Sequence, residues 1–417
     1  MKKKVLSLFS GCGGMDIGLE GDFWVFSKSI KDKNLVAKKD GQQVLLKESL
    51  FETVFANDIL KPAKTAWGNY FGQKGKSNDV YHLESIVDLI KQHRNGVYDF
   101  PSNIDVVTGG FPCQDFSVAG NRKGFNSDKS HTGDKLGEEI DLEENRGKLY
   151  AWMREVIRIT KPKVFIAENV KGLATLENIR ETIENDFRDI GNGYIVFSKI
   201  LHSGEYGVPQ KRERIIFLGF NKDCLKEEAL EQLSSHNPSE EYNPYPPKTH
   251  RIYKTQPQIN MFEDSEDLLP QVTTGDVLKD VNEPDIEKID SSQKSFSKAK
   301  FIKNYQGNVE ININGLGPTI RAEHHGNIEF RRLSKENGGK NLDELNKGLE
   351  QRRLTVRECA RIQTFPDNYP FVVQHKHRDP KNVSASAAYK VIGNAVPPLL
   401  AYSIGMNLQK KWDSYFK

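Results

Sequence analysis

Asp105-Val-Val-Thr-Gly-Gly-Phe-Pro-Cys113-Gln114 is the stretch from which the fold is read. The apolar run over 104–107 has the length and β-branched content of a buried strand. Two glycines break it and a Pro-Cys pair follows. One thiol is thereby set at the carboxyl end of a strand, where open α/β sheets form their ligand crevices. Proline fixes the backbone just before the sulfur, and the glycines allow a ligand to approach closely. Cys113 is therefore a candidate nucleophile. A small buried hydrophobe is the alternative, since free cysteine often serves as one.

Working outward, the same alternation recurs. Strands are expected over 5–9, 53–58, 104–108 and 164–167, the last ending at Glu168. Helices are expected over 81–93, with Leu83, Ile86, Val87 and Ile90 on one face, over 149–159, and over 179–190. Two long strands, 195–202 and 214–220, are joined by a Gly/Pro loop. Strands alternating with helices up to residue 220 predict a doubly wound, mostly parallel α/β sheet. From 221 to about 351 the chain turns polar and irregular, which predicts a second, smaller irregular domain. Regular structure resumes with a helix over 353–363, Thr355 as its N-cap, and residues 391–398 open a terminal helix. Inserts stand out at 21–51 and 126–145.

Composition sets outer bounds. The 417 residues have room for two or three domains. Sixty basic against 57 acidic side chains leave a net charge of +3, so a nucleic-acid surface must come from local clustering. Cys12, Cys113, Cys224 and Cys359 are widely spaced. That excludes a Cys-x-x-Cys zinc site and a disulfide framework, and fits a reducing cytoplasm. The start, three lysines, a short apolar run and Cys12, superficially imitates a lipoprotein signal, but a signal core needs about 7–15 apolar residues. A buried first strand explains it better. No stretch reaches transmembrane length.

Three further sites carry chemistry. After strand one comes Phe9-Ser-Gly11-Cys-Gly-Gly14-Met-Asp16. A Gly-rich strand-to-helix turn lets backbone amides meet a cofactor, but the dinucleotide fingerprint needs its third glycine at position 16. Asp58, ending strand two, could hold ribose hydroxyls. A nucleoside cofactor without a pyrophosphate fits, and S-adenosyl-L-methionine is the obvious case; an ordinary tight turn is the alternative. Glu168 ends its strand on the edge shared with Cys113, either as a partly desolvated proton-handling group or as a solvated acid. Arg212 and Arg214 are two apart at a strand start and so share one face. Paired guanidinium groups suit a phosphate or a carbonyl oxygen, and also occur on charged, solvated edges.

Taken in order, these pieces resemble the DNA (cytosine-5-)-methyltransferase family of bacterial restriction-modification type. The series comprises Phe9–Gly14, Asn57-Asp58, Asp79-Val80, Gly110-Phe-Pro-Cys113-Gln114, Asn145-Arg-Gly147, Glu168-Asn-Val170, Gln210-x-Arg-x-Arg214, Arg357-Glu-Cys-Ala-Arg361 and Gly393-Asn-Ala-Val-Pro-Pro398. Each piece is short, but the joint order is specific. The resemblance implies the class I methyltransferase fold and transfer of a methyl group from S-adenosylmethionine to carbon 5 of a flipped-out cytosine. It assigns Cys113 to attack on carbon 6, Glu168 to the ring nitrogen and exocyclic amine, and Arg214, supported by Arg212, to the carbonyl oxygen. It places Phe9, Gly11, Gly14, Asp58, Ile59, Asp79, Val80, Pro112, Leu149, Asn394 and Val396 around the cofactor. It divides the chain into a catalytic domain (1–220 plus 391–417), a target-recognition domain (221–372) and a hinge (373–390).

The partner it implies is double-stranded DNA, with Gln114, Ser117, Arg122 and Lys123 on the loop beyond the thiol. In the second module, Arg321, His324, His325 and Asn327 are the expected recognition residues, because that stretch combines glycine with several donors. Arg331-Arg332 and the run Lys294, Lys298, Lys300, Lys303, interleaved with Phe296, Phe301 and Tyr305, could also serve phosphates. At least half of the lysine run is expected to be a solvated face. No metal is assigned to the His324-His325 or His375-x-His377 pairs. A cytoplasmic monomer is expected, with a possible cognate endonuclease acting separately and no membrane partner.

Some positions depart from the family pattern. Asp58 stands where Glu is usual, Lys390 where Gln is common, and the 126–145 insert adds acids (Asp134, Glu138, Glu139, Asp141, Glu143, Glu144) that repel phosphate. That insert is expected to pack away from DNA or to close on basic residues of the second module. Competing readings are an RNA-methylating relative and a catalytically silent DNA-binding protein; intact Cys113, Glu168 and Arg214 argue against the latter.

Overall fold

The computed structural model describes residues 1–112, 149–174, 178–235, 237–253, 267–322, 327–373 and 382–417. Seven strands form the central sheet: β1 (Lys3–Leu8), β2 (Phe51–Asn57), β3 (Tyr81–His82), β4 (Val106–Gly109), β5 (Val164–Val170), β6 (Tyr194–His202) and β7 (Glu213–Asn221). Their order across the sheet is β3-β2-β1-β4-β5-β7-β6. The first five are parallel to one another, and β7 runs antiparallel to both β5 and β6. The helices between them are α1 (Gly14–Glu20), α2 (Lys61–Gln73), α3 (Ile86–Arg94), α4 (Leu149–Thr160), α5 (Lys171–Ala174) and α6 (Ile179–Arg188). The chain order reverses between β1 and β4, so the loops after these two strands diverge and open a crevice at their carboxyl ends.

Strand alternation explains why both faces of the sheet are covered. Val5, Val106, Ile166, Ile216 and Leu218 belong to one apolar cluster, and their neighbours Leu6, Val107, Phe165, Ala167, Ile215 and Phe217 to the other. The period of two sends successive side chains to opposite faces. The first cluster continues into the C-terminal helices, α7 (Val356–Ile362), α8 (Ala385–Asn394) and α9 (Pro398–Tyr415). A Cβ at Gly18 of α1 would overlap Pro398 and Ala401, so this glycine lets α1 and α9 meet backbone to backbone.

The doubly wound, mostly parallel sheet matches the expectation, and three local readings differ. Residues 81–93 are a strand followed by a helix. Tyr81 is buried and pairs with Ala56, and only after Ser85, whose Oγ accepts from Val87 N, does α3 begin. Leu83 is exposed, off the apolar face. β5 continues two residues past Glu168, because β7 extends the pairing to Arg214 opposite Val170. The C-terminus holds two helices, separated where Pro397 caps α9. The 21–51 insert builds its own antiparallel sheet from Trp24–Phe26, Val36–Asp40 and Gln43–Leu46. The 126–145 insert lies outside the described residues.

Thr355 does cap α7. Its side chain accepts from Glu358 N while the Glu358 carboxylate accepts from Thr355 N, a reciprocal capping box. Among the described residues, the irregular stretch from 221 to 351 contains only short strands and helices, apart from Glu227–Ser234. Its Val272, Val277, Leu278, Ile311, Ile320 and Ile328 join the cluster on the α1 face. Charged side chains fill much of the rest, as described below. Among the described residues, no helix is long and apolar enough to cross a membrane.

Candidate active site

The loop after β1 is tied to the loop after β2. Ser10 N donates to Asn57 O at 2.8 Å, and Asn57 N donates back to Ser10 Oγ at 3.0 Å. Phe9 and Gly11 both have positive φ, 52° and 56°. The tight reversal this produces aims Gly11 N at Asp58 Oδ2, 3.0 Å away, while Leu60 N donates to Asp58 Oδ1 at 2.9 Å. Burial pushes the Asp58 carboxyl above its ordinary value, opposed by these amides and by the charge of Lys390. A side chain at Gly11 would meet no atom within 4 Å, so the bend faces open space. At Gly13, by contrast, a Cβ would lie 2.7 Å from the Trp67 ring. At Gly14 it would overlap the carbonyl oxygen of Val396, which brings the segment after Asn394 against the start of α1. Phe9 and Leu149 pack into the same apolar cluster.

Asp16, at the missing third-glycine position, is a structural group. Its carboxylate accepts from Ser7 Oγ at 2.6 Å and Trp67 Nε1 at 2.9 Å, and burial raises it to about 6. Cys12 is fully buried with Sγ 3.3 Å from Val391 O, which removes it from consideration as a lipid-attachment site. Ile59 is exposed beside Asp58. Asp79 and Val80 lie in a short turn that precedes β3, where Ser77 Oγ engages the exposed Asp79. The residues that follow β3 toward the crevice are Leu83 and Glu84. Glu84 O accepts from Asn57 Nδ2 at 2.8 Å. The sequence concealed this because β3 is only two residues long and reads as part of a helix.

The second loop of the crevice follows β4. Glu168 and Arg214 stand on adjacent antiparallel strands, two residues out of register, and so project from the same face. Arg214 Nε lies 2.7 Å from Glu168 Oε1, and both side chains are largely buried. A Cβ at Gly110 would lie 3.3 Å from Glu168 Oε2, so the carboxylate rests against the glycine backbone. Asn169 Nδ2 donates to Phe111 O at 3.1 Å and fixes the same turn. Pro112 is the last described residue there. Cys113, Gln114, Ser117, Arg122 and Lys123 lie outside the described residues.

Arg212 does not share the Arg214 face as expected. It precedes β7, and its buried guanidinium turns the other way, to three backbone carbonyls: Ile320 at 3.2 Å, Gly393 at 3.1 Å and Ala395 at 2.8 Å. The period-two argument fails because the strand begins only at Glu213.

In the second module, the Arg321 guanidinium is engaged internally. Its Nη2 donates to Asn327 O at 3.0 Å and pairs with the buried Glu329 at 3.1 Å, closing the base of the 321–327 loop. His324 and His325 lie outside the described residues, as do His375 and His377. Arg331 and Arg332, expected as phosphate ligands, are buried in a cluster of three arginines and three glutamates. Arg332 forms two bonds to Glu283, at 2.9 and 2.6 Å, and one to Glu344. Arg352 takes Glu283 and both oxygens of Glu358, the latter at 2.8 Å each. Arg331 pairs with Glu344. Against burial, the ion pairs hold all three carboxyls low, Glu283 at about 2. Arg353, overlooked in the sequence, donates to Ala299 O, Gly307 O, Ile328 O and Lys300 O. It thereby holds the 299–308 loop beside the 321–327 loop. Lys298, Lys300 and Lys303 are exposed, whereas Lys294 donates to Lys288 O.

Two crevice loops thus converge. One presents Gly11 and Asp58 at its bend, and the other a buried carboxylate–guanidinium pair against Gly110. Residues 3–410 match the family described as C-5 cytosine-specific DNA methylase. The chain is 30% identical over 424 residues to "Type II methyltransferase M.BspRI" of Lysinibacillus sphaericus, covering all of this chain and 84% of that protein. It is 31% identical over 409 residues to "Type II methyltransferase M.BsuRI" of Bacillus subtilis, covering 97% of this chain and 78% of that one. Among solved structures, the S. pombe Dnmt2 methyltransferase is alike in fold, with a TM-score of 0.54 at 15% identity over 98% of both chains.

Proposed function

The chain belongs to the C-5 cytosine-specific DNA methylase family, and from that premise we propose that it methylates carbon 5 of a flipped-out cytosine in a specific duplex site through a covalent Cys113 adduct. It acts as the protective methylase of a type II restriction-modification system, in the cytoplasm and as a monomer, with any cognate endonuclease working separately. The observation that carries the reading is the Arg214–Glu168 pair, 2.7 Å apart and seated against Gly110, three residues before Cys113.

Cytosine is a poor electrophile, so covalent activation splits one hard step into easier ones. The thiolate of Cys113 bonds to carbon 6. Glu168 holds the ring nitrogen and exocyclic amine, and Arg214 holds the carbonyl oxygen, so electron density displaced by the new S–C bond is stabilised as it moves into the ring. Carbon 5, now nucleophilic, takes the methyl group. A base then removes the proton from carbon 5, the carbon 5–carbon 6 double bond re-forms and Cys113 departs. The target atom is inaccessible inside a duplex, so the base must leave the stack at a cost of a few kcal/mol.

The residues around the first loop fit S-adenosyl-L-methionine. Gly11 faces open space at a left-handed bend, and each Asp58 oxygen accepts one backbone amide and retains acceptor capacity for ribose hydroxyls. Bound there, the cofactor supplies an electrophilic methyl group. Phe9, Gly14, Ile59, Pro112, Leu149, Asn394 and Val396 complete the pocket, and Glu84, following β3, takes the place first given to Asp79 and Val80. Residues 1–220 plus 391–417 act as the catalytic domain, 221–372 as the target-recognition domain and 373–390 as the hinge. The 321–327 loop, with His324, His325 and Asn327, reads the bases, and Arg321 braces it.

A duplex carrying 5-fluorocytosine at the target position tests the mechanism. Fluorine at carbon 5 cannot be removed as a proton is, so the adduct accumulates. Protein and DNA should remain joined under denaturing conditions, with the linkage mapping to Cys113. Turnover of ordinary DNA without any trapped adduct on the fluorinated duplex would refute it.

A further inference from the structure

A buried polar junction lies at the start of β7, where side chains bond to one another and to backbone groups of distant segments. Its members are Gln210, Arg212 and Gln363, each at most 1% exposed. Gln210 joins the chain before β7 to two other segments. Its Nε2 donates to Gln363 Oε1 at 2.5 Å, and its Oε1 accepts from Ile320 N at 3.2 Å. Gln363, just after α7, passes the connection on by donating from Nε2 to Ala395 O at 2.5 Å. Arg212 closes the ring through the carbonyls of Ile320, Gly393 and Ala395. The backbone adds further bonds, Lys211 N to Gly317 O at 2.8 Å and Gly317 N to Pro209 O at 3.0 Å.

The segments joined are functionally distinct. Residues 317–321 form the stem that leads into the 321–327 loop. Gly393 and Ala395 flank Asn394, beside the cofactor loop. Two glycines make the contacts direct. A Cβ at Gly393 would overlap the Arg321–Ala322 peptide, and one at Gly14 would overlap Val396 O. A continuous path of backbone contacts therefore runs from the recognition stem, through Gly393 to Val396, to the first turn of α1. Arg214, which pairs with Glu168, is two residues from Arg212. A displacement of the stem cannot be absorbed at the junction without breaking buried hydrogen bonds, which are costly to leave unmade.

We propose that Arg212 is a positioning residue that couples the 317–322 stem of the second module to the cofactor loop, so that duplex DNA held by that module strengthens cofactor binding. This rests on the proposed function, which supplies both ligands. Coupling between sites is reciprocal and is commonly about 5- to 150-fold in affinity.

The test is equilibrium titration of the full chain with S-adenosylhomocysteine, with and without a duplex bearing its target site, for wild type and Arg212→Lys. A single ammonium cannot reach three carbonyls from a planar fork. The lysine variant should bind S-adenosylhomocysteine nearly normally without DNA and lose most of the enhancement that DNA confers on wild type. A simple loss of stability would instead weaken both titrations together. Gln363→Met, which breaks the Gln210 and Ala395 links while keeping Arg212, serves if the lysine variant does not fold, and should lower the enhancement in the same way. An enhancement equal to wild type in a folded variant, or none in wild type, overturns the coupling. Failure of wild type to bind S-adenosylhomocysteine at all would strike the functional reading itself.

Discussion

Replacing Glu283 with glutamine should loosen the second module, and the size of the effect follows from two separate arguments. Glu283 bridges Arg332, at 2.9 and 2.6 Å, and Arg352, at 2.8 and 3.0 Å. Three glutamates and three arginines balance in this cluster, so Glu283→Gln leaves one uncompensated positive charge among largely buried groups. Breaking a buried pair from one side costs about 3–5 kcal/mol. The second argument uses protonation. The ion pairs, working against burial, lower the Glu283 carboxyl from 4.5 to about 2. The difference of about 2.5 units, at 1.36 kcal/mol each, corresponds to stabilisation on the order of 3 kcal/mol. Because the folded-state value is depressed, that contribution is complete above pH 4.5 and fades as the pH falls toward 2. Urea unfolding at pH 7 and pH 3 should be followed by far-ultraviolet circular dichroism and amide exchange, since Trp24, Trp67, Trp152 and Trp412 all lie outside the second module. At pH 7 the variant should unfold at a midpoint lower by about 1 M, given a slope of about 3 kcal/mol/M. Between pH 7 and pH 3 it should lose less stability than wild type, because it no longer has the carboxylate to protonate. Equal midpoints at pH 7, or equal losses on acidification, would refute the claim that this ion cluster holds the module together.

Glu168→Gln should leave the fold intact and slow methyl transfer by at least about 10²-fold in single-turnover assays, since positioned proton-handling groups typically contribute that much; a near wild-type rate would remove Glu168 from the chemistry. Gly14→Ala should force α1 away from Val396, cost about 1–3 kcal/mol by overpacking and weaken S-adenosylhomocysteine binding, and an unchanged melting midpoint with unchanged affinity would contradict the contact. Asp58→Asn bears on pH. Because burial raises the Asp58 carboxyl above its ordinary 3.8, cofactor affinity in wild type should begin to fall on acidification sooner than for a solvated aspartate. The asparagine variant should bind more weakly but lose this dependence, and an identical pH profile for the two would exclude Asp58 from the site.

The first half of the chain was legible because its signals are local. Buried parallel strands are short apolar runs, and the crevice loops are marked by glycines that only a tight bend or a close approach requires. Glu168, Arg214 and the capping box at Thr355 could be located from such cues. The errors fell where local pattern and tertiary context disagree. β3 is too short to show a period of its own, and its two residues were absorbed into a helix. Arg212 was given the face of Arg214 on strand periodicity, but the strand starts one residue later. Arg331 and Arg332 carry the composition of a phosphate site, and their partners, Glu283, Glu344 and Glu358, are distant in sequence or hidden among many other acids.

The sequence by itself determined the alternation of strand and helix, the chemical groups at the crevice and the family to which their order belongs. Each of these rests on short-range physics: side-chain period, glycine at bends, caps at helix starts. Only the tertiary structure decided what the charged groups do. Whether an arginine meets a phosphate, a carboxylate or a carbonyl depends on which segments pack around it, and no local pattern carries that information. In the second module, packing turned Arg331, Arg332, Arg352 and Arg353 into interior supports. At the junction it turned Arg212 to the backbone carbonyls of Ile320, Gly393 and Ala395.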